Sequence, residues 1–239
     1  MRVLELWRYP VKSLQGEQVE SVAVGTGGLE GDRRFALYDV ETGLGLTARR
    51  VPGLLFASAR WRGDGRVEIT LPDGSPAAGD DALSAWLGRP VTLRSVEAAG
   101  ARRYENVLDY EREATSDWEE FVGAPGAFHD SPEFGVSLVS ERTIGSWDRR
   151  RFRSNVLLEG AGEDELVGRR VALGGAVVNV GDRIGRCVMT TRPQPGGLEH
   201  DLTVMRTIAR ERDARLAVGG LVAQPGLVRV GDPLVEQAA

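Results

Sequence analysis

Through the first third of the chain the apolar positions come in short bursts. They alternate with polar residues or run on for about five to eight positions, and most bursts end at glycine, proline or aspartate. VLELW, QVESVAV, RRFALYD, GLGLTAR, LLFASARW and RVEITLP all read as strands on this pattern, with ETG and GDG as the turns of two hairpins. DDALSAWLG breaks the rhythm: an acidic start, good helix formers and a closing glycine predict a short helix, after which VTLRSV returns to strand. From Glu97 to Ser131 the periodicity dissolves into polar and acidic sequence with scattered aromatics. That stretch reads as a connector carrying one short helix.

Order resumes at GVSLVSERTIGSW, a strand running into a helix with Ser140 as its N-cap. NVLLEG reads as a strand, EDELVG as a short helical or 3₁₀ turn, and RRVALG with AVVNVG as a hairpin about Gly174 and Gly175. CVMTT reads as a further strand. LTVMRTIARERDA is the clearest amphipathic helix, with Leu202, Met205, Ile208 and Ala209 on one face and arginines opposite. LAVGGLVA and LVRVGDPL follow as two strands. No period of 20 to 50 residues repeats, which excludes a solenoid or propeller. The expected fold is mainly β with a few short helices, an α+β arrangement.

Length and composition narrow the possibilities. The 239 residues, 41% hydrophobic, suffice for one large domain or two small ones. No apolar run approaches the roughly 20 residues of a membrane helix, and MRVLELWRYPVK alternates as a strand does rather than as a targeting leader. The expectation is a cytoplasmic protein with no membrane partner. A net charge of -5, with its basic residues dispersed, argues against nucleic acid as a partner. Two histidines, His129 and His200, and a single cysteine cannot supply a four-ligand zinc site, and no HExxH spacing occurs. Of the 30 Lys and Arg residues 29 are arginine, so the sole lysine, Lys12, marks a position suited to a compact ammonium.

Four constellations could carry chemistry. Cys187, the only cysteine, lies in GRCVMTTRPQPGG between Arg186 and Arg192, whose charges would favour thiolate if they reach it. The TTRPQPGG that follows has the composition of a donor-rich loop around an anion. Lys12 and Ser13 follow Tyr9 and Pro10 on a loop leaving the first strand. Arg33, in GDRRF, and Thr47 and Arg49, in TARR, would converge if their strands pair through the ETG turn. Arg153 and Asn155 are separated by one residue, so an extended chain turns both to one face. Taken singly, each has a plainer account: a core cysteine, a solvated Lys-Ser pair, a charged sheet edge, a charged lead-in to a buried strand.

Taken together, in this order, YPVKS, DR followed by an aromatic, TAR, R-x-N before an apolar strand, RC followed by an apolar pair and TT, and VGDP resemble the MOSC family in its form with an N-terminal β-barrel region. The sequence is similar to the mitochondrial amidoxime-reducing components and their bacterial counterparts. The resemblance implies residues 1–96 as the N-terminal β-barrel region and 97–239 as the MOSC domain, with the first strand packing against the second part. It implies molybdenum and molybdopterin as cofactors, with Cys187 as catalytic residue and metal ligand, and Lys12, Ser13, Arg33, Thr47, Arg49, Arg153 and Asn155 as cofactor-binding residues. It implies an oxidoreductase that reduces N-hydroxylated or N-oxygenated small molecules, with electrons from a separate flavin, haem or iron-sulfur protein. The alternative of another class is a sulfur-carrier or cofactor-handling module with a persulfide on Cys187. Two departures stand out: Ser154 occupies a position where the family often has proline, and residues 97–131 match poorly. Asp232 in VGDP reads either as a turn residue or as a group near the metal.

Overall fold

Val3–Arg8 organises the chain from its first residues. It pairs antiparallel with Val156–Leu158 on one edge and with Glu17–Val19 on the other. A register shift between Val3 and Glu5 breaks strict alternation, so Val3 and Leu6 both reach the core. The structure, a computed structural model, describes residues 1–98 and 100–237. Its eight-stranded sheet runs in the order Leu234–Glu236, Arg170–Leu173, Ala176–Gly185, Arg215–Gln224, Val136–Ser140, Val156–Leu158, Val3–Arg8 and Glu17–Val19. Every pairing in it is antiparallel except that of Val136–Ser140 with Val156–Leu158. A bridge from Arg2 to Pro233 curls the sheet back on itself, and Leu6, Leu138, Val178 and Val218 fill its interior.

The N-terminal region has its own core of Leu14, Leu37, Leu54 and Leu83, set between two-stranded sheets and the helix Asp80–Leu87. That helix ends where expected, at Gly88 with φ 65°. Ser140 accepts from Thr143 N to cap Glu141–Ile144, Glu163–Leu166 is a 3₁₀ turn, and Arg170–Leu173 with Ala176–Gly185 forms the expected hairpin. The long amphipathic helix is Leu202–Arg212, started by the Asp201 carboxylate, which accepts from Thr203 N at 2.8 Å. Its Val204 and Ile208 pack on Phe152 and Val139. Among the described residues no helix is long and apolar enough to cross a membrane.

The structure corrects several local expectations. GLGLTAR returns through the ETG turn only as a short antiparallel bridge, Tyr38 to Gly45, with Asp39 N donating to Leu44 O and Leu46 N to Leu37 O; the full ladder partner of Phe35–Asp39 is Val91–Ser95. Gly45 gives its N–H to Arg103 O, and the chain leaves Phe35–Asp39 after a short contact at Leu46. The stretch after Glu97 holds no helix among the described residues. It holds a hairpin, Arg103–Val107 with Trp118–Val122, whose outward acidic positions masked the inward Tyr104 and Phe121, rings 5.6 Å apart. LLFASARW begins as a 3₁₀ turn, Pro52–Phe56, because proline at its start fixes a helical φ. QVESVAV splits into Glu17–Val19 and Ser21–Gly25, which join different sheets. LVRVGDPL splits into Gly226–Arg229 and Leu234–Glu236 around Gly231, at φ 89°. CVMTT is a 3₁₀ turn, Val188–Thr191, because both threonine hydroxyls donate backwards: Thr190 to Cys187 O and Thr191 to Val188 O.

Candidate functional site

Between the N-terminal core and the curled sheet lies a cavity of about 380 Å³, walled by segments 12–49, 128–137 and 152–190. Lys12, Ser13, Arg33, Thr47, Arg49, Arg153, Asn155 and Cys187 all line it. Arg153 has φ 52°, so the extended geometry expected to align it with Asn155 is absent. Ser13 and Arg33 also have left-handed backbone, φ 69° and 49°. Three non-glycine residues in this sparsely populated region around one cavity indicate backbone strain that the surrounding packing maintains, as at many functional sites.

Each side chain is held by a definable contact. Ser13 Oγ accepts from Ala48 N at 3.0 Å, joining the first loop to the Thr47–Arg49 turn. Lys12 Nζ donates to Phe128 O at 3.1 Å and to Asp130, and sits 4.7 Å from the Tyr104 ring centroid. Arg49 donates to the other oxygen of Asp130, and its Nε lies 3.3 Å from Cys187 Sγ. Arg33 pairs with Asp32 and donates to Arg153 O, and Arg153 donates to Leu14 O; both guanidinium groups lie against Tyr9. Asn155 fastens three strands: its Oδ1 accepts from Ser137 N and Oγ, and its Nδ2 donates to Trp7 O at 3.2 Å. One amide hydrogen of Asn155 is left for a ligand.

The charges around Cys187 differ from those its neighbours in sequence suggested. Arg49, 138 residues away, makes the contact with the thiol. Arg192 does not line the cavity and donates to Arg49 O and Glu113. Arg186 does line it, anchored by bonds to Leu216 O at 2.8 Å and Phe152 O at 2.9 Å. The hydroxyls of TTRPQPGG serve its own backbone, so that loop is not the donor cradle its composition implied. Buried Arg151 holds the same segment through Thr190 O, Arg192 O and Glu199 O. Asp232 is a turn residue whose carboxylate accepts from Arg229 N at 2.8 Å, outside the cavity.

Sequence reasoning missed Asp130 and His129, which lie in the stretch read as connector. Asp130 is the only carboxylate among the described residues lining the cavity. Burial opposes its charge, but Lys12 and Arg49 outweigh that and hold it well below the usual carboxylate range. Burial draws Lys12 below its ordinary value, with Asp130 offsetting part of the effect. Burial, with Arg33 close by, brings Arg153 down to about 10 and His129 down to about 4. Burial likewise brings Arg186 down to about 10. These shifts mark a desolvated concentration of positive charge, which a bound anion relieves.

Several features suit a molybdopterin-type group. Thr47 is 3% exposed and its hydroxyl has no partner among the described residues. Five cationic side chains face one space, and a half-buried sulfur stands at its wall. A soft sulfur donor beside clustered cations is a donor set able to take a metal bound by sulfur together with a phosphate. No group of three or more His, Cys, Asp or Glu able to hold a metal ion by itself occurs among the described residues, so any metal here needs ligands beyond the protein's own.

No curated protein is matched at a significant level. Among solved structures, the YuaD protein from Bacillus subtilis is 11% identical with a TM-score of 0.46, covering 100% of this chain and 96% of its own. YiiM from Geobacillus stearothermophilus is 17% identical with a TM-score of 0.37, covering 50% and 67%. The profile of the MOSC N-terminal beta barrel domain matches residues 1–116, and that of the MOSC domain matches residues 102–235. The chain therefore belongs to the MOSC family, a group associated with the molybdenum cofactor.

Proposed function

We propose that this protein is a molybdenum-cofactor-dependent oxidoreductase that reduces N-hydroxylated or N-oxygenated small molecules, drawing electrons from a separate flavin, haem or iron-sulfur protein. The observation that carries the reading is the half-buried Cys187 sulfur, 3.3 Å from Arg49 Nε, at the wall of a cavity ringed by Lys12, Arg33, Arg49, Arg153 and Arg186. Cys187 would ligate molybdenum, while Lys12, Ser13, Arg33, Arg153 and Asn155 would hold the pterin and its phosphate, with Thr47 and Arg49 beside them. When bound, the cofactor supplies the two-electron chemistry by which an N–O bond is reduced.

The protein's own contribution is positional and electrostatic. Arg49 Nε donates to the Cys187 sulfur at 3.3 Å, holding it at the cavity wall and placing a fixed positive charge beside it. The 3₁₀ turn after Cys187, fixed by its threonines and by Arg151, sets the direction from which the sulfur enters the cavity. Among the described residues the guanidinium groups of Arg153 and Arg186 have no carboxylate partner and hold backbone carbonyls, so much of their charge remains for a ligand.

The test is expression in a host that makes molybdopterin, followed by measurement of metal, pterin and reduction of a benzamidoxime-type compound by a chemical electron donor. Near-stoichiometric molybdenum that disappears in Cys187→Ser supports the reading. Metal-free protein carrying cyanolysable sulfur on Cys187 would replace it with the persulfide-carrier function.

A further inference from the structure

The cavity wall contains an internal anion. Asp130 reaches Lys12 with one carboxylate oxygen and Arg49 with the other, across 118 and 81 residues of sequence. No other carboxylate among the described residues lines the cavity, so this single group faces five cations. Its two cations are nearly buried, with side chains 8% and 10% exposed, whereas the Asp130 side chain is 47% exposed. The carboxylate therefore reaches in from the mouth with much of its surface already in water.

The backbone that carries Asp130 is pinned on both sides but irregular between them. Phe128 is buried in an aromatic cluster with Tyr38 and Tyr104, and its N–H donates to Arg33 O. Gly135 N donates to Gly220 O in the main sheet. Between these anchors the chain has no helix or strand, and Pro132 follows closely after Asp130. Rotation of the Asp130 side chain about its own bonds can move the carboxylate into solvent without disturbing either anchor. Such a withdrawal moves a side chain that is already 47% exposed further into water.

We propose that Asp130 is a built-in counterion and specificity determinant: it occupies the Lys12–Arg49 half of the anion site and is displaced by a phosphate monoester group that also engages Arg153 and Arg186. The proposal rests on the reading of the cavity as an anion site. A small anion held only by Lys12 and Arg49 must compete with a tethered carboxylate at high effective concentration. A multiply charged group that reaches the opposite wall gains contacts Asp130 cannot make. Selectivity against small singly charged anions follows from that difference.

The test uses the full chain produced without cofactor, with inorganic phosphate as the probe in calorimetric titrations. Asp130→Asn, nearly isosteric, binds phosphate roughly ten-fold more tightly than the unmodified chain, and adding Lys12→Met to it removes the gain. Equal or weaker phosphate binding by folded Asp130→Asn overturns the proposal. A measurement that needs no variant uses the sole lysine: a lysine-¹⁵N-labelled chain gives one side-chain signal, that of Lys12. Movement of that signal with phosphate, following the calorimetric isotherm, supports displacement; a signal fixed at saturating phosphate refutes it. Molybdenum content is read separately, so a counterion that fails in a chain that still loads metal refutes only this proposal. A chain that never loads metal but shows the Asp130 effect refutes only the proposed function.

Discussion

The two walls of the cavity neutralise their cations in different ways. On the N-terminal wall, Lys12 and Arg49 meet a carboxylate, Asp130, that is half in water. On the C-terminal wall, Arg153 and Arg186 donate to backbone carbonyls of the fold itself, with no carboxylate of the described residues in contact. A carboxylate can leave; a carbonyl in a packed strand or turn cannot. The C-terminal wall is thus a fixed scaffold with residual positive charge, and the N-terminal wall is adjustable. Cys187 bridges the two, borne by the fixed wall and contacted by Arg49 of the adjustable one.

The largest effect that would test this contrast is at the sulfur. Cys187→Ser, expressed with molybdopterin available, is expected to lose essentially all bound molybdenum while keeping the thermal unfolding midpoint of the cofactor-free chain, as read by elemental analysis and calorimetry. Next, the walls separate by stability. Arg186→Met leaves the Leu216 and Phe152 carbonyls without their donor and is expected to destabilise the chain by about 3 kcal/mol in urea unfolding. Lys12→Met leaves Asp130 paired with Arg49 and open to water, with an expected loss of about 1 kcal/mol. Equal losses would remove the distinction between fixed and adjustable walls.

His129 sharpens the comparison through pH. Its folded value of about 4 lies below the ordinary 6.5, so protons bind the unfolded chain more readily between these limits. Its contribution to stability is full above about pH 6.5 and falls as the pH drops toward 4, by which point about 3 kcal/mol is lost. Comparing urea unfolding of wild type and His129→Gln across that range isolates this contribution from that of the carboxylates, and parallel curves would contradict it. The smallest effect is expected outside the cavity. Glu113→Gln breaks the pair with Arg192 and is expected to change stability by about 0.5 kcal/mol, with phosphate affinity unaltered.

What could be read from the chain by itself follows from locality. Capping and helix-ending residues such as Ser140 and Gly88 act within a few positions, so the elements they bound were legible. The lone cysteine and lone lysine were conspicuous by count, and the ordered motifs pointed to the family. The hairpin Arg103–Val107 with Trp118–Val122 was not legible, because its exposed acidic face hid the period of two. Nor was the 3₁₀ turn after Cys187, where threonine side chains override a strand-like composition.

The sequence alone determined the repertoire: predominantly strand, a scatter of guanidinium groups, one thiol and one amine. Only tertiary structure decided that Arg49 rather than Arg192 meets Cys187, that Asp130 enters the same cavity, and that Arg153 turns inward from a left-handed backbone. The reason is physical. Periodicity and capping act over a turn or a strand, whereas these contacts join residues 81 to 138 positions apart and exist only once the N-terminal core has packed against the curled sheet.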